Sequence, residues 1–168
     1  TLHIVEAMTG HLEKWIEQDD IDAAVLFASP ASFHPPLLPL GFERLVLIGP
    51  VEGPLAGRSE VTMDDVCALP IIHSTRAHQL RQMLDAYSMA RRRPLKLVAE
   101  IDSLAQIKSL VFQTRGYTVL PRTAVSADWV SGPVRFWPIV DEQMVIQLFM
   151  VPSPRFQKDA HCAAVVAM

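Results

Sequence analysis

Three polar pairs open helical segments directly after strand-like runs: Thr9-Gly10, Ser74-Thr75 and Asp102-Ser103. In a parallel α/β unit such turns gather at the carboxyl ends of the strands, where ligands bind. Unpaired N–H groups at a helix start, with a hydroxyl beside them, suit a small anion or carboxylate. The plainer alternative is that each hydroxyl only caps its own helix. Taken together the pairs favour a pocket for Thr9 with Gly10 and for Ser74 with Thr75. Asp102 would repel an anion, which sets Ser103 apart from the others.

Other reactive residue types carry less. A metal site needs paired ligands at helical or turn spacing. His73 and His78 are five residues apart across a strand–loop–helix junction, a poor clamp, so no metal is expected. Cys67 and Cys162 lie far apart without CxxC spacing and read as two buried thiols of a reducing compartment. The sequence has no GxSxG elbow and no GxGxxG or GxxxxGK[ST] loop. No catalytic residue and no cofactor is therefore expected.

Elements must hold these turns. Of 168 residues, 50% are hydrophobic and 20% charged, which excludes a disordered tail. A net charge of −3 excludes nucleic-acid binding by this chain alone. The longest stretch without acidic or basic residues, 23–42, contains Pro30, Pro35, Pro36 and Pro39, which would break a membrane-spanning helix. The first residues lack a basic region followed by an apolar core, so they read as no signal peptide. They also lack an initiator Met and begin in a strand-like run, as a fragment would.

Short apolar runs alternate with helical periodicity, the mark of βα units. Residues 2–6 read as a strand, Thr9 as the cap of a helix near 10–19, and 21–28 as a strand buried on both faces. A Pro-rich loop over 29–41 leads to a strand at 42–48, ended by Gly49-Pro50. Thr62 and Asp65 have capping-box spacing before a short helix ending at Pro70. A strand at 71–73 precedes a helix over 77–92 with Leu80, Met83, Leu84 and Tyr87 on one stripe, stopped by Arg91, Arg92, Arg93 and Pro94. Residues 95–101 alternate as a strand. Ser103 and Gln106 open a helix with core face Leu104, Ile107 and Val111, closed by Gly116. Strands at 117–120, 134–140 and 145–151 and helices at 122–130 and 156–168 complete the reading. The segments from 71 to 140 can form a parallel sheet of their own. Crossings at Gly49-Pro50 and Ile139-Val140 then divide the chain into residues 1–49 with 142–168 and residues 50–141. Two lobes joined twice make a cleft, and clefts bind ligands.

The run Ile4-Val5-Glu6-Ala7-Met8-Thr9-Gly10-His11-Leu12, followed by Trp15 and Asp22-Ala23-Ala24-Val25-Leu26, resembles the effector-binding domain of LysR-type transcriptional regulators. So do Leu69-Pro70-Ile71-Ile72, His78-x-Leu80-Arg81, and Glu100-x-Asp102-Ser103-Leu104 with Gly116-Tyr117-Thr118-Val119-Leu120-Pro121. The ordered set spans the chain, and its first run leans toward the nitrogen-assimilation-control-like branch. The resemblance implies an α/β fold like type 2 periplasmic binding proteins: two Rossmann-like subdomains flanking a cleft for a small effector. It implies a pocket lined by Thr9, Gly10, Ser74, Thr75 and the strand end Thr118, Val119, Leu120 and Pro121. It implies a cytoplasmic homodimer or homotetramer, with Leu2 and Ile4 on an edge strand and Ile107 and Val111 on a helix as interface candidates. DNA would be contacted only through a winged helix-turn-helix that such regulators carry upstream and this sequence lacks. The domain's own first strand and helix are missing too, and Thr114 stands where the family often has Gly. Two other readings stay open: a stand-alone solute-binding protein of the same architecture, and a small α/β hydrolase.

Overall fold

A computed structural model describes residues 2–27, 37–124 and 132–158. The chain forms two compact units: Thr1–Phe42 with Gln147–Met168, and Glu43–Ile146. The Pro-rich segment 28–36, most of the expected 122–130 helix and most of the final 156–168 helix lie outside the described residues, as do His34, Cys162 and His161.

In the first unit, helix α1 (Thr9–Glu17) lies on strand β1 (Ala23–Phe27). β1 pairs antiparallel with β7 (Val145–Pro152), placing Ala24 opposite Val151 and Leu26 opposite Phe149. Ile16 from α1 closes this core over Ala24, Leu26, Phe149 and Val151. Three expectations change here. Residues 2–8 form no strand, because an alternating run becomes a strand only when a second backbone pairs with it, and none does among the described residues. Thr9 is the first helical residue rather than the cap; Met8 holds the cap position without a side-chain bond. β1 is buried on one face only, with Val25 57% exposed, as an antiparallel strand allows.

The second unit holds most of the remaining elements. Its elements are α2 (Met63–Ala68), β3 (Ile71–His73), α3 (Gln79–Ala90), β4 (Leu97–Glu100), α4 (Leu104–Phe112), β5 (Thr118–Pro121) and β6 (Val134–Pro138). Strand β2 (Leu38–Pro50) begins in the first unit and ends in the second. β3 runs parallel to β4 and, through an Ile71–Tyr117 bridge, parallel to the entry of β5. β2 lies antiparallel between β5 and β6, Val46 facing Leu120 on one side and Pro138 on the other. β2 also pairs with β7, so β1, β7, β2, β5 and β6 form one five-stranded sheet and β3 with β4 a two-stranded one, joined to β5 by the isolated Ile71–Tyr117 bridge. Because β2 runs against β5 and β6, the arrangement is mixed rather than the parallel sheet expected.

Alternation along these strands builds the cores. Val46, Ile48, Ile72, Leu120 and Val134 pack against Ile107 and Val111 of α4. Leu45, Leu47, Ile71, Val119 and Trp137, on the other face, are also fully buried. Ile107 and Val111 are therefore core residues of their own unit. They are not available as an interface with another copy.

The four hinge candidates also sit elsewhere than expected. Gly49 and Pro50 are laddered to Arg135 and Val134, and Ile139 bridges to Val61, whose carbonyl takes the Val140 N–H at 2.9 Å. Asp141 accepts from Met63 N at 2.7 Å and from the Tyr87 hydroxyl at 2.5 Å, tying the next residues to α2 and α3. All belong to one unit; the chain leaves it at Phe42-Glu43 and Ile146-Gln147. Gly49 serves close packing: a Cβ there would stand 2.0 Å from Cδ1 of Tyr117.

Candidate functional site

From β3 the chain leaves through α3 toward β4, then returns through α4 to β5 on the other side of β3. The connections diverge between β3 and β5, so their carboxyl ends flank a topological switch point, the place where open α/β sheets bind ligands. Ser74 and Thr75 leave β3 there. β3 ends at His73, whose ring reaches the Val119 carbonyl of β5, and Thr75 follows two residues on. Beyond Pro121 a single 3₁₀ turn, Arg122–Ala124, follows.

A buried histidine fixes the turn. His73 Nε2 lies 3.1 Å from the Val119 carbonyl, so that nitrogen carries the hydrogen. Nδ1 then accepts from Ser74 N at 2.9 Å, with the Ser74 hydroxyl at 3.1 Å. Burial pushes the ring down to about 4, keeping it neutral at ordinary pH. Arg81, 1% exposed, holds the Ser74 carbonyl at 2.8 Å. Its guanidinium also binds Asp85 at 3.0 Å and Glu100 at 2.7 Å, so α3, β4 and the turn share one charge network. Arg81 is buried within this network, while the Glu100 side chain is 46% exposed, so solvent screens that arm of it.

Asp102 occupies the helix start that an anion was expected to take. It accepts from Thr75 N and from the Thr75 hydroxyl, both at 2.8 Å, and lies 3.2 Å from His78 Nε2. The Thr75 backbone N–H holds its carboxyl below the usual range. Ser103 keeps to capping, accepting from Gln106 N at 3.4 Å. At the end of β5, Glu43 accepts from Thr123 N, while its second oxygen is buried without a partner.

The structure thus brings Ser74 and Thr75 to the end of Thr118, Val119, Leu120 and Pro121. All four strand residues are buried, and Val119 supports the turn by accepting from His73 through its carbonyl. Thr9 and Gly10 form the first turn of α1 in the other unit. His73, Arg81, Asp102 and Glu43 were not expected as site residues. The signal for Arg81 was its place three residues before Leu84 on the apolar stripe, with Asp85 at i+4 to meet it. A recess of about 590 Å³ is lined by Pro50, Val51, Glu52, Thr114 and Pro133, at the amino ends of β5 and β6. That is the wrong end for a switch-point ligand. Among the described residues no group of three or more His, Cys, Asp or Glu could hold a metal ion.

A model of the LysR substrate binding domain matches residues 1–168. The HTH-type transcriptional regulator BbuR of Bordetella bronchiseptica is 29% identical over 150 residues, covering 88% of this chain and 46% of that protein. The chain therefore spans about half the length of the curated relative it matches. Among solved structures, the effector binding domain of QuiR in complex with shikimate aligns with a TM-score of 0.79 at 15% identity, over 94% of this chain and 74% of that one. The CcmR regulatory domain of Synechocystis in complex with 2-PG aligns with a TM-score of 0.80 at 14% identity, over 95% and 77%. These likenesses establish the fold, that of type 2 periplasmic-binding-protein-like effector domains. With the sheet order, the switch point and the whole-length match in agreement, the chain belongs to the family of LysR substrate-binding domains.

Proposed function

We propose that this domain is the effector-sensing part of a LysR-type transcriptional regulator, and that it seats a small metabolite on the Ser74-Thr75 turn. The observation that carries this is the switch point between β3 and β5, where a buried His73 and Arg81 hold that turn rigid. Rigid support of a polar turn is what a selective small-molecule site needs. Thr9 and Gly10 are the candidates in the other unit. The domain carries no catalytic step; it responds to a ligand, and DNA is bound by a winged helix-turn-helix elsewhere in the regulator. Such a protein works in the cytoplasm, beside its DNA. It pairs with a second copy of itself, for which Leu2 and Ile4 remain candidates.

The test is a thermal-shift screen of small metabolites on the full-length regulator, followed by DNA mobility shifts. Shikimate and 2-PG, bound by QuiR and CcmR, are sensible members of the library. At least one metabolite should raise Tm saturably and change affinity for the operator. Ser74→Val should lose that response while DNA binding persists. A metabolite turned over instead of merely bound, with turnover abolished in Ser103→Ala, would favour the hydrolase reading.

A further inference from the structure

The Thr75 N–H and O–H are both engaged inside the protein, and Ser74 is only 2% exposed. Ser74 N–H goes to His73 Nδ1, and the Ser74 hydroxyl faces the same hydrogen-free nitrogen. Thr75 N–H and O–H both go to Asp102. What the Thr75 hydroxyl has left for a ligand is oxygen lone pairs. Beside them stands the Asp102 carboxylate, its side chain 43% exposed. Arg81 does not offset that charge, because its guanidinium is committed to Asp85 and Glu100.

Glu43 adds an independent observation. Its residue is only 9% exposed, and Oε1 takes the Thr123 N–H just past the end of β5. Oε2 is buried and accepts from nothing. A buried acceptor without a donor is costly, and a ligand donor is one way to satisfy it. Thr123 lies two residues beyond Pro121, the end of β5, as Thr75 lies two residues beyond His73, the end of β3. The two acceptor sets therefore belong to the same end of neighbouring strands.

We infer that the effector presents a hydrogen-bond-donating cation, a primary ammonium or a guanidinium, to the Ser74-Thr75 turn and Asp102, with Glu43 as a second acceptor. This rests on the reading that the turn holds the effector, and it reverses the ligand charge expected from helix starts alone. An anionic effector finds no unengaged donor on Thr75 and meets the charge of Asp102 first.

Matched probes test it on the full-length protein: cyclohexylammonium and agmatine against cyclohexanecarboxylate and succinate, by thermal shift and calorimetry. The two cations should raise Tm saturably and the two carboxylates should not. Asp102→Asn keeps the side-chain size and should weaken the cations about tenfold or more, the effect of losing one charge-assisted hydrogen bond. If that variant does not melt cooperatively, Glu43→Gln supplies the same comparison with the same sign. Carboxylates that bind, and bind more tightly to Asp102→Asn, would show Asp102 to be a stand-in for an anionic ligand and overturn the proposal. Cations that produce no shift would also overturn it. Should a neutral or anionic metabolite then bind and be lost in Ser74→Val, the effector reading stands and only this inference fails.

Discussion

His73 turns the interior of the site into a pH-dependent term in stability. Its ring is lowered from 6.5 to about 4, first by burial and further by the charges of Arg81 and His78, against Asp85 and the Val119 hydrogen bond. An unfolded histidine titrates near 6.5, so between there and about 4 the unfolded chain binds more protons than the native one. Stability is then complete above pH 6.5 and declines as pH falls toward 4, by about 3 kcal/mol over the window. The carboxyls of Asp85 and Asp102 are held below their ordinary range, so their contributions disappear only at lower pH. Urea denaturation across pH 4–7 should show this slope, and His73→Gln should flatten it. An unchanged slope in the variant would assign the proton elsewhere.

Helix ends show how one unusual backbone position shapes an element. α1, α3 and α4 each finish with a left-handed residue that is not glycine: Asp19, Arg92 and Thr114, with φ near +58°, +57° and +58°. In each, that residue's own N–H and the next one reach back in the same pattern, as in Thr114 N to Val111 O at 2.9 Å and Arg115 N to Leu110 O at 3.1 Å. Threonine is the costliest of the three there, since its branched Cβ crowds the left-handed conformation. Thr114→Gly should raise stability by about 1 kcal/mol, measured by chemical denaturation. Gly116, which the spacing suggested as the helix stop, is needed for another reason: a Cβ would sit 2.9 Å from the Pro70 carbonyl.

The same positions explain what was legible in the sequence. Thr62 and Asp65 form the reciprocal capping box that their spacing promised, because a cap is a local bond. The βα order from 71 to 121 was equally readable from periodicity. Helix ends without Gly were not, and the helices expected over 10–19 and 77–92 both ran too long. Residues 2–6 failed for a non-local reason: alternation names a strand, but pairing makes one. The apolar spacing of Ile107 and Val111 marked a buried face without saying which surface covers it. At the site, Ser74 and Thr75 were visible by type, whereas the Asp102 carboxylate that engages Thr75 comes from 27 residues away, a distance no local motif spans.

At the scale of the molecule, large apolar side chains are exposed in both units, Met89, Val98 and Phe112 among them in the second and the two most exposed, Leu2 and Ile4, in the first. Leu2 is 82% exposed and Ile4 78%, and Val5, Val25, Leu40 and Phe42 are exposed with them. The described core of that unit rests on one helix and the β1–β7 pair, which is little sheet to hold a unit by itself. Leu2, Ile4 and Val5 lie close together in the chain, and exposed apolar side chains that form a patch favour association, unlike the same number scattered singly. The chain should therefore self-associate with a concentration dependence visible in sedimentation velocity. Leu2→Glu with Ile4→Glu should shift that equilibrium toward monomer by about tenfold or more, if each side chain contributes on the order of 1 kcal/mol of burial. The double change should leave the Tm of the larger unit unmoved, because its core of Val46, Ile48, Ile72, Ile107 and Val111 involves neither residue. Phe112 of α4 is the control. It lies outside this patch, so Phe112→Glu should leave the association unchanged; if it alone disrupts it, the interface lies on α4 and the assignment to Leu2 and Ile4 is wrong. A sharp monomer at every concentration, with one cooperative thermal transition, would refute the idea for both surfaces.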